Sequence, residues 1–224
     1  METIKVNDRI EMNYDNIRDK LEKADIATIG HHTEFGFMSP GIRSVNPRAG
    51  KIFGQAFTVR TPAQDSKAVH LAVSLAKEGD VIVIDRTLDN THACVGEMVA
   101  LCAKARGLSA IVVDGPVTDI EEILEIGIPV YATGVSGMTT KFISSCGEIN
   151  EDISCGGVVV HPGDLIMADQ NGVMCLRSFE LERLLDIAIE DQKFESEDRE
   201  EVINGKTLQQ LYIPEYTAQA KWEG

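Results

Sequence analysis

Apolar runs and helical repeats alternate along the first 133 residues of the chain. Four short runs have the length and β-rich composition of buried strands. One starts at Gly54, and the other three cover residues 80–85, 110–114 and 129–133. Three segments with apolar side chains at helical spacing lie between them, at about residues 66–77, 96–105 and 119–126. Because the runs do not alternate with polar residues, they predict an α/β fold with a parallel sheet covered on both faces.

The segments that flank this unit have different patterns. After residue 133 the chain turns to short strands, and Asn171-Gly172 predicts a hairpin between the last two because both residues tolerate positive φ. A loop wrapped over the core is predicted for residues 30–48, and a charged tail after the last helix. The predicted strands are residues 156–160, 164–169 and 173–176, and the predicted helices are residues 16–24 and 178–192.

Composition and charge narrow the class of protein. With 224 residues and 43% hydrophobic content, the chain can bury one sizeable core, so residues 1–224 are predicted to form one domain. A net charge of -15 repels polyanions and argues against direct nucleic-acid binding. No stretch approaches a membrane span or a signal peptide, and the 5 cysteines include no CxxC pair. We therefore expect a cytoplasmic protein with reduced thiols and no membrane contact.

Two acidic positions follow neighbouring strands of the predicted sheet. Gly96-Glu97 opens a helix, where free N–H groups favour an anion and glycine leaves it room; a turn with a Glu that complements the helix dipole is the alternative. Asp114 and Asp119 flank a Gly-Pro turn and suit a hard cation such as Mg²⁺, unless Asp119 or Thr118 caps the next helix. Because parallel strands end at one edge, Glu97 and Asp119 are expected to converge there.

The histidines are weaker candidates. His92 lies in the loop before Gly96, within reach of the expected site as an acid or base. His70 sits on an apolar helix and is predicted to be packed, while His31 and His32 are expected to be solvated.

Four segments together resemble a known family: residues 54–85, 93–120, 129–134 and 158–176. The family joins the regulator of ribonuclease activity A to the metal-dependent 4-hydroxy-4-methyl-2-oxoglutarate aldolases, and the likeness covers about residues 21–211. The resemblance implies a compact αββα sandwich with a mainly parallel sheet, like the swivelling phosphohistidine domains. It also implies a homotrimer or dimer of trimers in which the terminal extensions pack on neighbouring subunits.

The same resemblance assigns roles to residues. Glu97 and Asp119 would help to hold Mg²⁺ or Mn²⁺, with a third acid from the tail of a neighbouring subunit, Glu195 or else Glu197. Main-chain amides around Gly96, Glu97, Met98 and Val99 would bind the carboxylate of a 2-oxo acid, while the metal polarises its carbonyl.

One position departs from the family's aldolases. They carry arginine immediately before the metal-site aspartate, whereas this chain has Thr118, a neutral hydroxyl at a catalytic and substrate-binding position. Arg86, at the end of the run at residues 80–85, is hypothesised to aim its guanidinium into the vacated space; a surface arginine is the alternative.

The leading functional hypothesis is a metal-dependent aldolase or decarboxylase for a small 2-oxo or 2-hydroxy acid other than the usual aldolase substrate. An isomerase or dehydratase that uses the same enolate chemistry is a variant of this hypothesis. The second hypothesis is a non-catalytic regulator that binds a protein partner such as a ribonuclease, for which the acidic surface is suited.

Overall fold

The computed structural model describes residues 4–62, 64–143 and 146–215 of the chain. All four long strands predicted from apolar runs are present, and shorter strands lie at their edges or form separate hairpins. The strands are β1 (Lys5–Val6), β2 (Arg43–Ser44), β3 (Ile52–Arg60), β4 (Val81–Asp85), β5 (Ala110–Val117), β6 (Val130–Val135), β7 (Glu148–Ile149), β8 (Ile153–Cys155), β9 (Val158–Val160), β10 (Leu165–Asp169) and β11 (Gly172–Leu176).

Helices follow three of the central strands and also precede and follow the sheet in sequence. A 3-10 turn, Asp15–Ile17, leads into the first of them. The helices are α1 (Arg18–Lys23), α2 (Ile26–Ile29), α3 (Lys67–Leu75), α4 (Glu97–Ala105), α5 (Ile120–Ile126), α6 (Ser178–Ile203) and α7 (Leu208–Tyr212).

The central sheet is parallel, as predicted. Strands β3, β4, β5 and β6 lie side by side in this order, and each pair is parallel. β10 and β11 form the antiparallel hairpin that Asn171-Gly172 predicted. β3 belongs to both arrangements: residues 52–55 pair with β10, and residues 56–60 pair with β4.

Alternate side chains of the parallel strands fill two different cores. Ile82 and Ile84 of β4 pack in the cluster that includes residues of α3, α4 and α5, whereas Val81 and Val83 pack with residues of β10 and β11. The other face of that hairpin packs against α1, α2 and α6. The layers therefore run helices, sheet, hairpin, helices, which confirms the αββα sandwich and explains why the runs are apolar at every position.

The structure corrects two predictions of local structure. Gly115-Pro116 is not a turn: β5 continues through it to Val117, with a register shift between Val113 and Pro116. β4 pairs with β5 only as far as Val113, so Pro116 has no strand partner on that side, while on the other side it lies opposite Gly134 of β6.

α6 is the second correction, because it does not end near residue 192 but continues to Ile203. The predicted charged tail is therefore helical there, since its Glu, Lys and Arg residues favour helix and neither glycine nor proline occurs between Ser178 and Gly205. No helix in the described ranges is long and apolar enough to cross a membrane.

Candidate functional site

A cavity of about 260 Å³ opens at the edge of the sheet where β4 and β5 end. Its wall combines the start of α4, the start of α5, one face of α3 and the loop after β6. The residues that line it are Ser66, His70, Ala93, Cys94, Gly96, Glu97, Met98, Val99, Thr118, Asp119, Thr139, Thr140, Lys141 and Phe142. The structure thus brings Glu97 and Asp119, which follow neighbouring strands, into one cavity.

Asp119 links the two helix starts through its side chain. Its backbone is left-handed, with φ 54° and ψ 50°, and its carboxylate Oδ2 accepts a hydrogen bond of 3.0 Å from the N–H of Glu97. Although Asp119 occupies the N-cap position of α5, its side chain makes no cap hydrogen bond there. The capping alternative is therefore wrong for this side chain, which faces the start of α4 instead.

Gly96 makes this approach possible because it has no side chain. A Cβ at this position would lie 2.4 Å from Oδ2 of Asp119 and 2.9 Å from Cγ2 of Thr118, closer than real contacts allow. Glycine therefore leaves room for an anionic group over the first turn of α4, and the group found there is the carboxylate of Asp119.

The first turn of α4 also presents main-chain donors. The N–H groups of Met98 and Val99 have no acceptor among the described residues, as expected for the first turn of a helix, and both residues line the cavity. Together with the helix dipole, these groups favour a negatively charged ligand.

The oxygen atoms of Glu97 and Asp119 suit a hard cation. Both residues are solvent-exposed, and Oδ1 of Asp119 is 3.2 Å from the hydroxyl of Thr118, its only side-chain partner on that atom in the described chain. Mg²⁺ and Mn²⁺ favour such oxygen donors and often retain water alongside one or two carboxylates. The two acids therefore fit part of a divalent-metal site.

A third protein ligand does not come from the described part of the same chain, where no group of three His, Cys, Asp or Glu residues could hold a metal. Glu195 lies on α6, 3.6 Å from Nδ1 of His31, and it does not line the cavity; neither does Glu197. A third carboxylate would have to come from outside the described residues of this chain.

Asp114 is separate from this site. Its carboxylate accepts a hydrogen bond of 2.8 Å from the N–H of Gly156, in the turn between β8 and β9. The pairing of Asp114 with Asp119 as cation ligands is therefore wrong, because the bulged end of β5 carries the two side chains to different places.

Arg86 is fully buried rather than at the surface. Its guanidinium lies 3.2 Å from the carboxylate of Asp89 and 3.3 Å from the carbonyl oxygen of His92, and it is absent from the cavity wall. Asp89 also accepts a 2.9 Å hydrogen bond from Nδ1 of His92, which likewise lies outside the wall. Both side chains hold the loop that leads to Gly96.

Among the residues of the cavity wall that sequence reasoning missed are His70, Lys141 and Phe142. The prediction that His70 is packed is wrong, because its side chain is exposed on the cavity side of α3. The sequence did contain a signal for this exposure. His70 and Ser74 are four residues apart, on the face of α3 opposite to the buried Val69, Ala72 and Val73. Lys141 and Phe142 lie in a loop without periodicity, which gave no signal.

Cys94 lines the cavity without being a reactive thiol. Burial raises the pKa of Cys94 to about 11, so the thiol stays protonated at neutral pH. This agrees with the expectation of a reduced core thiol, and all 5 cysteines are free.

Comparisons with known proteins agree with this fold. A family model described as RraA-like (Aldolase/RraA) matches residues 16–175. A putative 4-hydroxy-4-methyl-2-oxoglutarate aldolase of Halalkalibacterium halodurans is 37% identical over 158 residues, which cover 70% of this chain and 74% of that protein. An uncharacterized protein of Methanocaldococcus jannaschii is 31% identical over 173 residues, or 76% of this chain and 82% of that protein.

The solved structure of Streptomyces coelicolor RraAS2 is described as an unusual member of the RNase ES inhibitor RraA protein family. It superposes with a TM-score of 0.75 at 23% identity and covers 85% of this chain and 98% of that one. This likeness supports the αββα architecture.

Proposed function

Because the chain belongs to the RraA-like family, we propose that it is a divalent-metal-dependent lyase that cleaves a small 2-oxo or 2-hydroxy acid through an enolate. The observation that carries the proposal is the hydrogen bond from the main-chain N–H of Glu97 to the carboxylate of Asp119, in a cavity that both exposed acids line together with Met98 and Val99. Relatives named as putative aldolases support the same class of reaction.

The residues of the cavity have different roles in this proposal. The N–H groups of Met98 and Val99 bind the substrate carboxylate, and Glu97 and Asp119 would hold Mg²⁺ or Mn²⁺. Such an ion would supply Lewis-acid polarisation of the 2-oxo group. Glu195 of a second copy of this chain, with Glu197 as the alternative, supplies a third carboxylate in a trimer or a pair of trimers.

Thr118 sets the substrate apart from that of the usual aldolases. Its hydroxyl is neutral and bonds to Asp119, so it cannot provide the planar, permanently charged fork of an arginine. Arg86 does not replace that charge in the cavity wall, because it is buried against Asp89. We therefore expect a substrate that needs no guanidinium at this position.

The proposal is tested by incubating the protein with a panel of 2-oxo acids, with Mg²⁺, with Mn²⁺ and with EDTA, and coupling pyruvate release to lactate dehydrogenase. A separate assay measures CO₂. We expect metal-dependent turnover of some acid and a loss of at least about 100-fold in Asp119→Asn. Asp114→Asn is the matched control, since Asp114 lies on β5, the strand that leads to Asp119, but outside the cavity. Metal-independent turnover, or full activity of Asp119→Asn, would contradict the proposal.

A regulator that binds a protein partner is the second candidate, and the net charge of -15 favours it for a partner with a basic surface. A regulator should bind a purified ribonuclease equally well in wild type and Asp119→Asn, with a strong dependence on salt. Binding that disappears with Asp119→Asn, or no binding at low salt, would exclude this reading.

A further inference from the structure

The imidazole of His70 stands in the wall of the same cavity as Glu97 and Asp119. His70 lies on the exposed face of α3, one turn after Ser66, which also lines the cavity. Besides the two acids, Lys141 is the other charged residue of the wall. None of these three has a hydrogen bond to the imidazole, so the ring is not committed to an ion pair.

One contact fixes the tautomer of His70. Its Nδ1 lies 2.9 Å from the main-chain carbonyl oxygen of Ser66. A carbonyl can only accept, so Nδ1 must carry the proton and donate it. In the neutral ring, Nε2 then has a free lone pair, and no described residue hydrogen-bonds to that atom.

The ring is also held in place by Phe142. The two ring centroids are 4.8 Å apart at an interplanar angle of 81°, an edge-to-face contact. The loop that carries Phe142 is tied to the start of α3, since Lys141 N–H bonds to the Gln64 carbonyl at 2.8 Å and Ile143 N–H bonds to the Asp65 carboxylate at 2.9 Å. His70 is therefore oriented before any ligand arrives, as a proton-transfer group requires.

We infer that His70 is a catalytic residue that transfers the proton between substrate and enolate, an inference that rests on the proposed function. In cleavage of a 4-hydroxy-2-oxo acid, Nε2 takes the proton of the hydroxyl on C4. The C3–C4 bond breaks, its electron pair forms the enolate, and C4 becomes a carbonyl. The imidazolium returns the same proton to C3, which yields the shorter 2-oxo acid and restores the neutral ring.

Proton exchange into pyruvate tests this step without the unidentified substrate. The protein is incubated with pyruvate and Mg²⁺ in D₂O, and loss of the pyruvate methyl signal is followed by ¹H NMR. We expect wild type to exchange these protons and His70→Asn to do so at least about 100-fold more slowly. Asparagine can keep the donor toward Ser66 but lacks the basic Nε2. Binding of oxalate, measured by calorimetry, should change less than about threefold.

Two further variants separate proton transfer from a structural role. Exchange by His70→Ala should recover on addition of free imidazole, which a merely structural role would not allow. His161→Asn is the matched control: His161 contacts Asp152 and Arg177, lies outside the cavity wall, and should leave the exchange rate unchanged.

The outcomes distinguish the inference from the proposed function. If wild type exchanges pyruvate protons and His70→Asn does so at the same rate, the role of His70 is overturned while the enolate chemistry stands. Slow exchange in His70→Ala that imidazole leaves unchanged also overturns it. If wild type binds oxalate and Mg²⁺ but exchanges no protons, the proposed function fails and this inference fails with it.

Discussion

Asp80 at the amino end of the parallel sheet has surroundings opposite to those of Glu97 and Asp119 at its carboxyl end. At the amino end, just before β4, Asp80 is buried and accepts hydrogen bonds from both terminal nitrogens of Arg9 and, at 2.8 Å, from the N–H of Lys77. At the carboxyl end, Glu97 and Asp119 are exposed, and neither forms an ion pair with a described Lys or Arg.

The difference separates a structural acid from acids that can take a ligand. A carboxylate removed from water needs charged and polar partners for its lone pairs, and Asp80 has them. A carboxylate that stays hydrated can exchange water for a cation at little cost. The contrast with Asp80 therefore supports a ligand-binding role for Glu97 and Asp119 without any motif.

Asp80→Ala should have the largest effect on stability. It leaves the Arg9 guanidinium, whose side chain is only 17% exposed, without its main partner, so we expect a loss of about 3 kcal/mol in the free energy of unfolding. Urea denaturation followed by circular dichroism measures it. Asp119→Asn is the control and should change stability by less than about 0.5 kcal/mol, since Asn tolerates the left-handed backbone. Equal losses in the free energy of unfolding for Asp80→Ala and Asp119→Asn would contradict the contrast between the two acids.

Gly96→Ala should disrupt the candidate metal site at the carboxyl end of the sheet without replacing an acidic residue. The new Cβ displaces the Asp119 carboxylate from the N–H of Glu97, so we expect Mn²⁺ affinity, measured by electron paramagnetic resonance, to fall about 100-fold. Gly134→Ala is the matched control, because a Cβ there meets nothing within 4 Å. Unchanged Mn²⁺ binding in Gly96→Ala would show that the close approach is not needed.

Asp114→Ala tests a half-buried acid, intermediate between buried Asp80 and exposed Asp119. It removes the acceptor of the Gly156 N–H, and we expect a loss of about 1 kcal/mol in the free energy of unfolding. Mn²⁺ affinity should stay within about twofold of wild type. A large fall in Mn²⁺ affinity would return Asp114 to the metal site.

The smallest effect expected is the acid-dependent part of the stability that Asp89 contributes, which is separate from the loss at neutral pH that follows from removing the charged partner of buried Arg86. Burial opposes ionisation, but hydrogen bonds from Thr91 and His92 hold the pKa of Asp89 below its ordinary value. A lowered pKa contributes stability that is present above the ordinary value, about 4, and is lost as pH falls through the folded value. Between pH 5 and 3, urea denaturation should therefore show a smaller fall in stability for Asp89→Asn than for wild type. An identical fall in both would contradict this assignment.

Periodicity predicted most of the fold, and its failures have local causes. β4 and β5 are apolar at every position because each face meets a different core, so their runs were unambiguous. β1 and β7 have 2 residues each, too few for any pattern to emerge. The C-terminal half of α6 lacks an apolar stripe, so only the helix propensity of its charged residues indicated a helix there.

The site was predictable where it depends on chain order and hidden where it depends on side-chain direction. Glu97 and Asp119 follow adjacent parallel strands, which brings them to one edge. The sequence could not tell that Asp114 turns to Gly156 or that Arg86 turns inward, because the bulge in β5 and the packing of Asp89 decide both.

The shared strand β3 has a consequence for how the molecule unfolds. Residues 52–55 complete the antiparallel layer and residues 56–60 complete the parallel one, with the N–H of Ala56 bonded at 2.8 Å to the carbonyl of Asp164 at their junction. Neither layer can detach without stripping hydrogen bonds from a backbone that the other needs. We therefore expect the hairpin and the edge of the sheet that carries the candidate site to unfold together.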